Sequence, residues 1–171
     1  MITTWRSQPR QFGAIAFGLL GLAFGLMKTS PWNSDGIFLV RAFLAKLFWA
    51  FLIAGGSAAL GYRNGTRFIH NASRANFAGA GGTAAFALAR ATVITIFVYC
   101  VALVVTGDFG VSLGVFGTFQ PPCTIFQKFM AIIVIFFTGF WFFILGAVIF
   151  GFIGGYLLAL LFAPAYRDDQ A

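Results

Sequence analysis

Long apolar runs alternate with shorter polar segments along the whole chain. A run of about 20 apolar residues is long enough to cross roughly 30 Å of hydrocarbon as an α-helix. The pattern therefore predicts an all-α integral membrane protein with four transmembrane helices and one or two interfacial amphipathic helices, arranged as a single membrane domain over residues 1–171. The predicted segments are an N-terminal tail (1–11), a first span (12–27), an interfacial helix plus second span (37–62), a polar loop (63–83), a third span (84–106), a second loop (107–124), a long apolar segment holding the fourth span (125–163) and a C-terminal tail (164–171).

Neither of the first two apolar runs has the length of one simple membrane span: the first is shorter and the second is longer. The run 12–27 is short, and no small-residue cleavage site follows it, so we predict an uncleaved helix. The run 37–62 contains Arg41 and Lys46 and would be about 39 Å long as a helix. We expect its first turns to lie at the membrane interface and the remainder to cross.

The last apolar segment is the most ambiguous. As one helix, residues 125–163 would measure about 58 Å, which is too long for one simple span and tight for two. Two spans would need a turn near Thr138 or Gly146, where no polar residue is available, and an unpaired backbone turn in lipid is costly. We expect one principal span in the second half of the segment, with a five-helix chain as the alternative.

The two internal polar segments have opposite character. The segment 63–83 carries three arginines and His70, with an Asn64-Gly65 turn signal and a glycine-rich run at 79–82. The segment 107–124 has four glycines and two prolines but no lysine or arginine. We predict an arginine-rich inner loop and an outer loop.

Composition excludes several other classes of protein. The chain is 60% hydrophobic and 9% charged, whereas an average soluble domain is about 25% charged. This excludes a soluble globular domain, a disordered chain and a disulfide scaffold. Its net charge of +7 is typical of a membrane protein with positively charged inner segments.

The positive charges also predict an orientation. With the N-terminus inside, seven of the eleven basic residues lie on the inner side, namely Arg6, Arg10, Arg63, Arg67, Arg74, Arg90 and Arg167. The inverted topology leaves only four inside. We therefore predict that both termini are cytoplasmic, and the absence of an organellar targeting sequence favours a bacterial inner membrane.

Few residues can carry chemistry. The chain has one histidine, His70, two cysteines, Cys100 and Cys123, four aspartates and no glutamate. Zinc needs three or four ligands at local spacing, and general acid–base catalysis needs a positioned pair of titratable groups. We predict no metal, no cofactor and no enzyme activity, and the scarcity of aromatic residues in the basic segment argues against nucleic-acid binding.

Small residues at four-residue spacing form the first candidate site. Gly21 and Gly25 lie in the first span, and Gly151 and Gly155 lie in the last. Small residues let helix backbones approach closely in lipid. Two interpretations stay open: packing within this chain, or docking to another membrane subunit.

Arginines form the second candidate site. Arg63, Arg67 and Arg74 are predicted to dock an acidic partner or lipid phosphates, or simply to hold their loop inside. Arg90 lies within the third predicted span, where an ionisable residue is a functional candidate by default. It would either extend to the lipid headgroups or face the path of an anionic solute.

Together these features favour a non-enzymatic accessory, scaffold or assembly subunit of a larger bacterial membrane complex. The expected partners are other integral membrane proteins and anionic lipids. One alternative is a small membrane component of a transporter for a lipophilic or anionic solute. Another is an immunity or exclusion protein that acts by contact, which the sequence does not separate from the first.

Overall fold

The computed structural model describes residues 8–28, 37–106 and 140–162, with Phe126, Met130 and Ile133 as isolated positions. Side chains at 28, 37–46, 99, 102–106, 140 and 162 lie outside the description. The described residues form four helices, α1 (Pro9–Lys28), α2 (Ile37–Ser73), α3 (Phe77–Thr106) and α4 (Phe140–Phe162). In this part of the chain the prediction of an all-helical fold is confirmed.

The four helices alternate in direction along the chain. Gly65 of α2 lies beside Pro9 of α1, whereas Ala50 lies beside Gly25, so these two helices are antiparallel. Likewise Gly81 of α3 lies beside Gly155 of α4, and Ala85 beside Gly151. Helix α2 contacts α3 next, with Gly56 facing Ala91. The result is an up-down-up-down arrangement in which α1–α2 and α3–α4 are the most extensively packed pairs.

Glycine on both sides brings α1 and α2 into backbone contact. A methyl group on Gly13 would collide with the carbonyl oxygen of Gly61, and one on Gly61 would collide with the carbonyl oxygen of Gly13. Farther along, a methyl group on Gly21 would lie 2.7 Å from the Ser57 hydroxyl oxygen, and one on Gly25 would lie 2.7 Å from the Ala50 Cα. Only a hydrogen atom fits at these positions, and backbones this close gain dispersion contacts along their length.

Alanine fills most of the remaining interior. The main core cluster combines two aromatic rings, Phe17 and Phe68, which meet edge to face with centroids 5.3 Å apart. Around them lie buried alanines from all four helices, namely Ala16, Ala72, Ala80, Ala84, Ala87 and Ala159. The buried hydroxyls of Thr92 and Thr95 donate to the carbonyl oxygens of Leu88 and Ala91 in their own helix. Such back-bonding satisfies a polar group without a partner helix.

The largest difference from the sequence-based prediction concerns residues 63–83. These residues are not a loop, because α2 continues to Ser73 and α3 already begins at Phe77. Phe68 and Ala72 recur at helical spacing on α2 and are buried in the core, so packing extends the helix. The apparent turn signal is part of the helix: the Asn64 side-chain amide donates to the Leu60 carbonyl oxygen, and Gly65 admits the Pro9 carbonyl.

A three-residue turn, Arg74 to Asn76, joins α2 and α3. The Asn76 amide donates to the Asn71 carbonyl oxygen, and the Ala75 amide to the Ala72 carbonyl oxygen, while Ala75 has a left-handed φ of 56°. This is the hydrogen-bond pattern of a Schellman C-cap. Asn76 then caps α3, because its Oδ1 accepts a hydrogen bond of 2.9 Å from the Gly79 amide.

Within the described residues, three helices are long and apolar enough to cross a membrane by length and composition: Pro9–Met27, Phe77–Val98 and Trp141–Leu161. Helix α2, which covers the predicted second span, is not among them; its last turns carry Arg63, Arg67 and His70. Helix α4 occupies the second half of the long apolar segment. The tail at 1–7, the predicted outer loop, most of 125–139 and the tail at 164–171 lie outside the described residues, and so does the choice between four and five helices.

Replacing Gly61 with alanine is expected to destabilise the α1–α2 pair by about 1–3 kcal/mol, the usual cost of overpacking. The added methyl group meets the Gly13 carbonyl and lies 2.8 Å from the Phe17 Cβ. Gly55→Ala is the matched control, because nothing lies within 4 Å of its Cβ position. Unfolding by denaturing detergent, followed by helicity, measures both variants, and equal stability for the two would contradict this packing.

The cap at Asn76 gives a second expectation. Asn76→Ala removes the side-chain acceptor for the Gly79 amide and is expected to lower the free energy of unfolding by about 1 kcal/mol. Asn76→Asp retains an acceptor and should stay close to the unmodified chain. The same unfolding measurement tests the pair, and a loss as large in the aspartate variant as in the alanine variant would be evidence against the cap.

Candidate functional site: the basic end of the bundle

The antiparallel packing of α1 and α2 gathers positive side chains at one end of the bundle. Arg10 lies in the first turn of α1, and Pro9 beside it contacts Gly65 of α2. Arg63 and Arg67 therefore lie at the same end, and Arg74 follows in the turn after α2. All four arginines are exposed, as is His70. We call this group of five side chains the basic end.

No negative side chain balances the basic end among the described residues. The four acidic residues of the chain are Asp35, Asp108, Asp168 and Asp169, and all lie outside the described ranges. Like charges in an exposed cluster repel one another and attract anions. All the charged side chains that the structure describes at this end are therefore arginines.

A cleft opens beside these arginines, between the start of α1 and the side of α2. Its volume is about 270 Å³, and it is lined by Gln8, Pro9, Arg10, Gln11, Tyr62 and Thr66. The Arg10 guanidinium carbon lies 5.9 Å from the centroid of the Tyr62 ring, within the range of a cation–π contact. The lining combines an exposed arginine with hydroxyl and amide groups, and all of these can donate hydrogen bonds to an oxyanion.

Arg90 lies apart from the basic end, on the outer surface of α3. Its guanidinium carbon lies 4.7 Å from the centroid of the Phe86 ring, one turn earlier in the helix. Its neighbours on that exposed stripe are Val93, Ile94 and Phe97. Because Gly56 faces Ala91 in an antiparallel pair, Arg90 lies about six residues of helical rise, or about 9 Å, from the level of Arg63. The side chain leans toward the basic end rather than into the interior.

The four predicted packing glycines all contact helices of this same chain. Gly21 and Gly25 face α2, as described above. A methyl group on Gly151 would lie 2.8 Å from the Ala85 Cα, and one on Gly155 would lie 2.5 Å from the Ala84 Cβ. This geometry favours packing within the chain over docking of another subunit at these glycines.

The other chemically distinctive residues do not come together. The described residues contain no group of three or more histidine, cysteine or acidic side chains that could hold a metal ion. His70 is exposed at the basic end, Cys100 is a buried free thiol, and Cys123 lies outside the described residues. Ser57 is buried between α1 and α2, and its hydroxyl has no hydrogen-bond partner within the described part. It faces Gly21, so a small polar residue serves there as a packing element.

Sequence reasoning missed the cleft residues Arg10, Tyr62 and Thr66 as a group. Arg10 and Tyr62 are separated by 51 intervening positions, and only the register of α1 against α2 brings them together. Comparison with protein families, with curated proteins and with solved structures finds no match for this chain.

Arg90→Leu is expected to leave the helices intact and to raise the stability of the inserted chain. Among the described residues, the substitution removes a contact with one aromatic ring, worth about 0.5–1 kcal/mol when exposed. Removing an arginine from a membrane helix recovers up to about 3 kcal/mol of insertion free energy. Arg90→Lys keeps the charge and serves as the control. The measurement is membrane insertion together with detergent unfolding; a clear loss of stability in Arg90→Leu alone would show that the guanidinium has a structural partner.

Proposed function

We propose that this chain is a non-enzymatic accessory, scaffold or assembly subunit of a larger membrane complex, acting through helix–helix packing in the bilayer. The observation that carries the proposal is the exposure of α4. Only 22% of its candidate span is buried within the chain, compared with 44% for the candidate span in α3. Its side chains are apolar on every face, and most of that surface needs either lipid or another protein to cover it.

Aromatic residues make this uncovered surface well suited to a protein partner. At the start of α4, Trp141 and Phe142 are 60% and 74% exposed. Large aromatic side chains are common at the centres of protein interfaces because each buries much apolar area with few rotatable bonds. Helix α4 packs mainly against α3, and among the described residues it has only a few further contacts, with α1 and α2.

The register of α1 and α2 supports a second crossing by α2. Residues 50–65 of α2 run beside residues 9–25 of α1, which is long and apolar enough to span. If α1 crosses the bilayer, α2 lies at the same depth over these residues. The basic end then marks one membrane surface, and the positive-inside rule supports a cytoplasmic location for it. A bacterial inner membrane remains the proposed location.

The alternative of a transporter component depends on Arg90 facing a solute path. Its guanidinium lies on the exposed outer side of α3, beside Phe86. This position favours contact with lipid or another protein over contact with a solute passing between the helices. The geometry therefore supports the subunit proposal better than the transporter proposal.

Phe142→Ala is expected to reduce co-purification of a membrane partner by at least about tenfold, the range of an aromatic side chain at the centre of an interface. Leu19→Ala is the matched control, because Leu19 is also largely exposed (62%) but lies on α1. The protein is purified from its own host in mild detergent or native nanodiscs, and mass spectrometry quantifies the membrane proteins that stay bound at stoichiometric amounts.

Two outcomes would contradict the proposal. One is a chain that purifies without any stoichiometric membrane protein. The other is a partner that both variants retain equally, which would place the contact elsewhere than on α4.

A further inference from the structure

We propose that the outer face of α3 docks a membrane-spanning helix of a partner subunit, and that a carboxylate on that helix pairs with Arg90. The inference rests on the proposed function, because it needs a membrane partner, and it adds the chemistry of that partner. Three observations carry it: an uncovered face on α3, a permanent positive charge within that face, and the lack of a carboxylate beside this charge among the described residues.

Helix α3 packs mainly against α2 and α4 and leaves its remaining side uncovered. It contacts α2 through Ala91, and it contacts α4 through Gly81 and Ala85. On the opposite side, exposed residues recur at steps of three or four, so they follow one another along a single face of the helix. We call this face the α3 stripe, and it consists of Gly82, Phe86, Arg90, Val93 and Phe97.

Phe86 holds the Arg90 guanidinium on the α3 stripe in a form that suits a carboxylate. The guanidinium carbon lies over the Phe86 ring, 4.7 Å from its centroid. A ring that covers the face of a guanidinium leaves the N–H groups at its edge accessible to a second partner. Two of these N–H groups match the two oxygens of a carboxylate in a planar, paired arrangement.

Arg90 needs a countercharge, and the candidate spans of this chain do not provide one. The segments Pro9–Met27, Phe77–Val98 and Trp141–Leu161 contain no aspartate and no glutamate. An arginine keeps its charge inside a protein or a membrane, and charged residues in membrane spans usually pair with another polar group. An acidic residue on a neighbouring helix balances the charge at its own depth, so an acidic membrane helix is the complementary partner.

The depth of Arg90 favours a protein carboxylate over a lipid phosphate. Under the proposed placement the basic end marks the membrane surface, and Arg90 lies about 9 Å farther into the span than Arg63. Phosphates at the surface therefore meet Arg10 and Arg63 first. The neighbours of Arg90 on the α3 stripe are apolar, so a helix that crosses the bilayer covers them and reaches the guanidinium in the same contact.

The test uses the full chain in phosphatidylcholine vesicles. The probe is a synthetic polyleucine transmembrane peptide with one glutamate at its middle, and the control peptide carries glutamine there. Energy transfer between labelled peptide and labelled chain measures association. The glutamate peptide is expected to associate about tenfold more tightly than the glutamine peptide, because a charge-assisted pair replaces a neutral hydrogen bond.

Two arginine variants show whether that preference belongs to Arg90. Arg90→Gln is expected to abolish the preference for the glutamate peptide. Arg63→Gln removes the same charge from the basic end, outside the α3 stripe, and should change the preference by less than about twofold, the scale of a surface charge contact. Equal losses in the two variants would reduce the effect to general charge attraction and contradict the inference.

Exchanging the two charges tests direct pairing. Arg90→Glu is expected to reverse the preference, so that a polyleucine peptide with one arginine associates about tenfold more tightly than the glutamate peptide. Circular dichroism of each variant in the same vesicles checks that the helices are retained. An Arg90→Glu chain that folds and shows no such reversal would be evidence against a charge pair on the α3 stripe.

A second pair of variants locates the contact without changing any charge. Phe97 and Phe142 are 68% and 74% exposed, but Phe97 belongs to the α3 stripe and Phe142 to α4. Phe97→Ala is expected to weaken association of the glutamate peptide about fivefold, the scale of an aromatic side chain in an interface, and Phe142→Ala to change it by less than about twofold. The opposite result would move the contact to α4.

Two further outcomes overturn the inference and leave the proposed function standing. Equal association of the glutamate and glutamine peptides with the unmodified chain would show that the α3 stripe does not pair with a carboxylate. Phosphatidylglycerol that displaces the glutamate peptide, and that Arg90→Gln no longer retains over phosphatidylcholine, would assign Arg90 to a lipid phosphate. A host preparation without any stoichiometric membrane protein would instead refute the proposed function together with a natural occupant of the α3 stripe.

Discussion

The contact between the backbones of α1 and α2 at Gly13 and Gly61 determines the rest of the arrangement. Because neither residue has a side chain, the two helices approach until the carbonyl oxygen of each glycine lies where a side chain of the other would be. That approach fixes the register, and the register in turn places Pro9 beside Gly65 and Arg10 beside Tyr62. The basic end and its cleft thus follow from contacts between apolar parts of the chain. In a lipid environment, where burial of apolar surface gives little driving force, such close packing is the main source of helix association.

The interior built in this way is too narrow for most of the aromatic residues. Alanine and glycine dominate the contacts between helices, and only Phe17, Phe24 and Phe68 are fully buried phenylalanines in the described residues. The remaining described phenylalanines lie partly or largely on the outside, most densely on α4. The described part of the chain therefore carries most of its aromatic and charged side chains on its surface. Aromatic residues lie on one side, and arginines lie at one end. This distribution suits a protein that recognises other molecules laterally in the membrane better than one that encloses a substrate.

The sequence predicted the helices well where one signal dominated. The apolar runs at 12–27 and 84–106 and the second half of the last run all lie within helices of the structure. The error at 63–83 arose because local turn signals conflicted with tertiary packing. Asn64, Gly65 and the glycines at 79–82 are turn residues in isolation, but here Gly65 and Gly81 admit the backbone of a neighbouring helix. Burial of Phe68 and Ala72 then outweighs the low helix propensity of Asn64 and Gly65.

The candidate site was only partly accessible from sequence for a similar reason. The spacing of Gly21 and Gly25 indicated close packing but did not identify the helix that they pack against. Gly13, Gly61 and Gly65 were not identified as packing residues, and Gly65 lay in a segment that was predicted to be a loop. Arg63, Arg67 and Arg74 were identified from charge alone. Their association with Arg10 depends on which turn of α2 lies beside which turn of α1, and register between distant segments is a three-dimensional property.

Under the proposed membrane placement, the short turn between α2 and α3 has a consequence for how the chain enters the bilayer during synthesis. Only Arg74 to Asn76 separate the two helices, so closing this hairpin costs little chain entropy. The two helices can therefore pair as soon as both have left the ribosome, before the much longer segment that precedes α4 has been made. Arg63, Arg67 and Arg74 would oppose transfer of the hairpin tip across the bilayer, which favours entry with the tip held at the side where translation takes place. In this order of events α4 arrives last and joins a partner surface on α3 that is already in place.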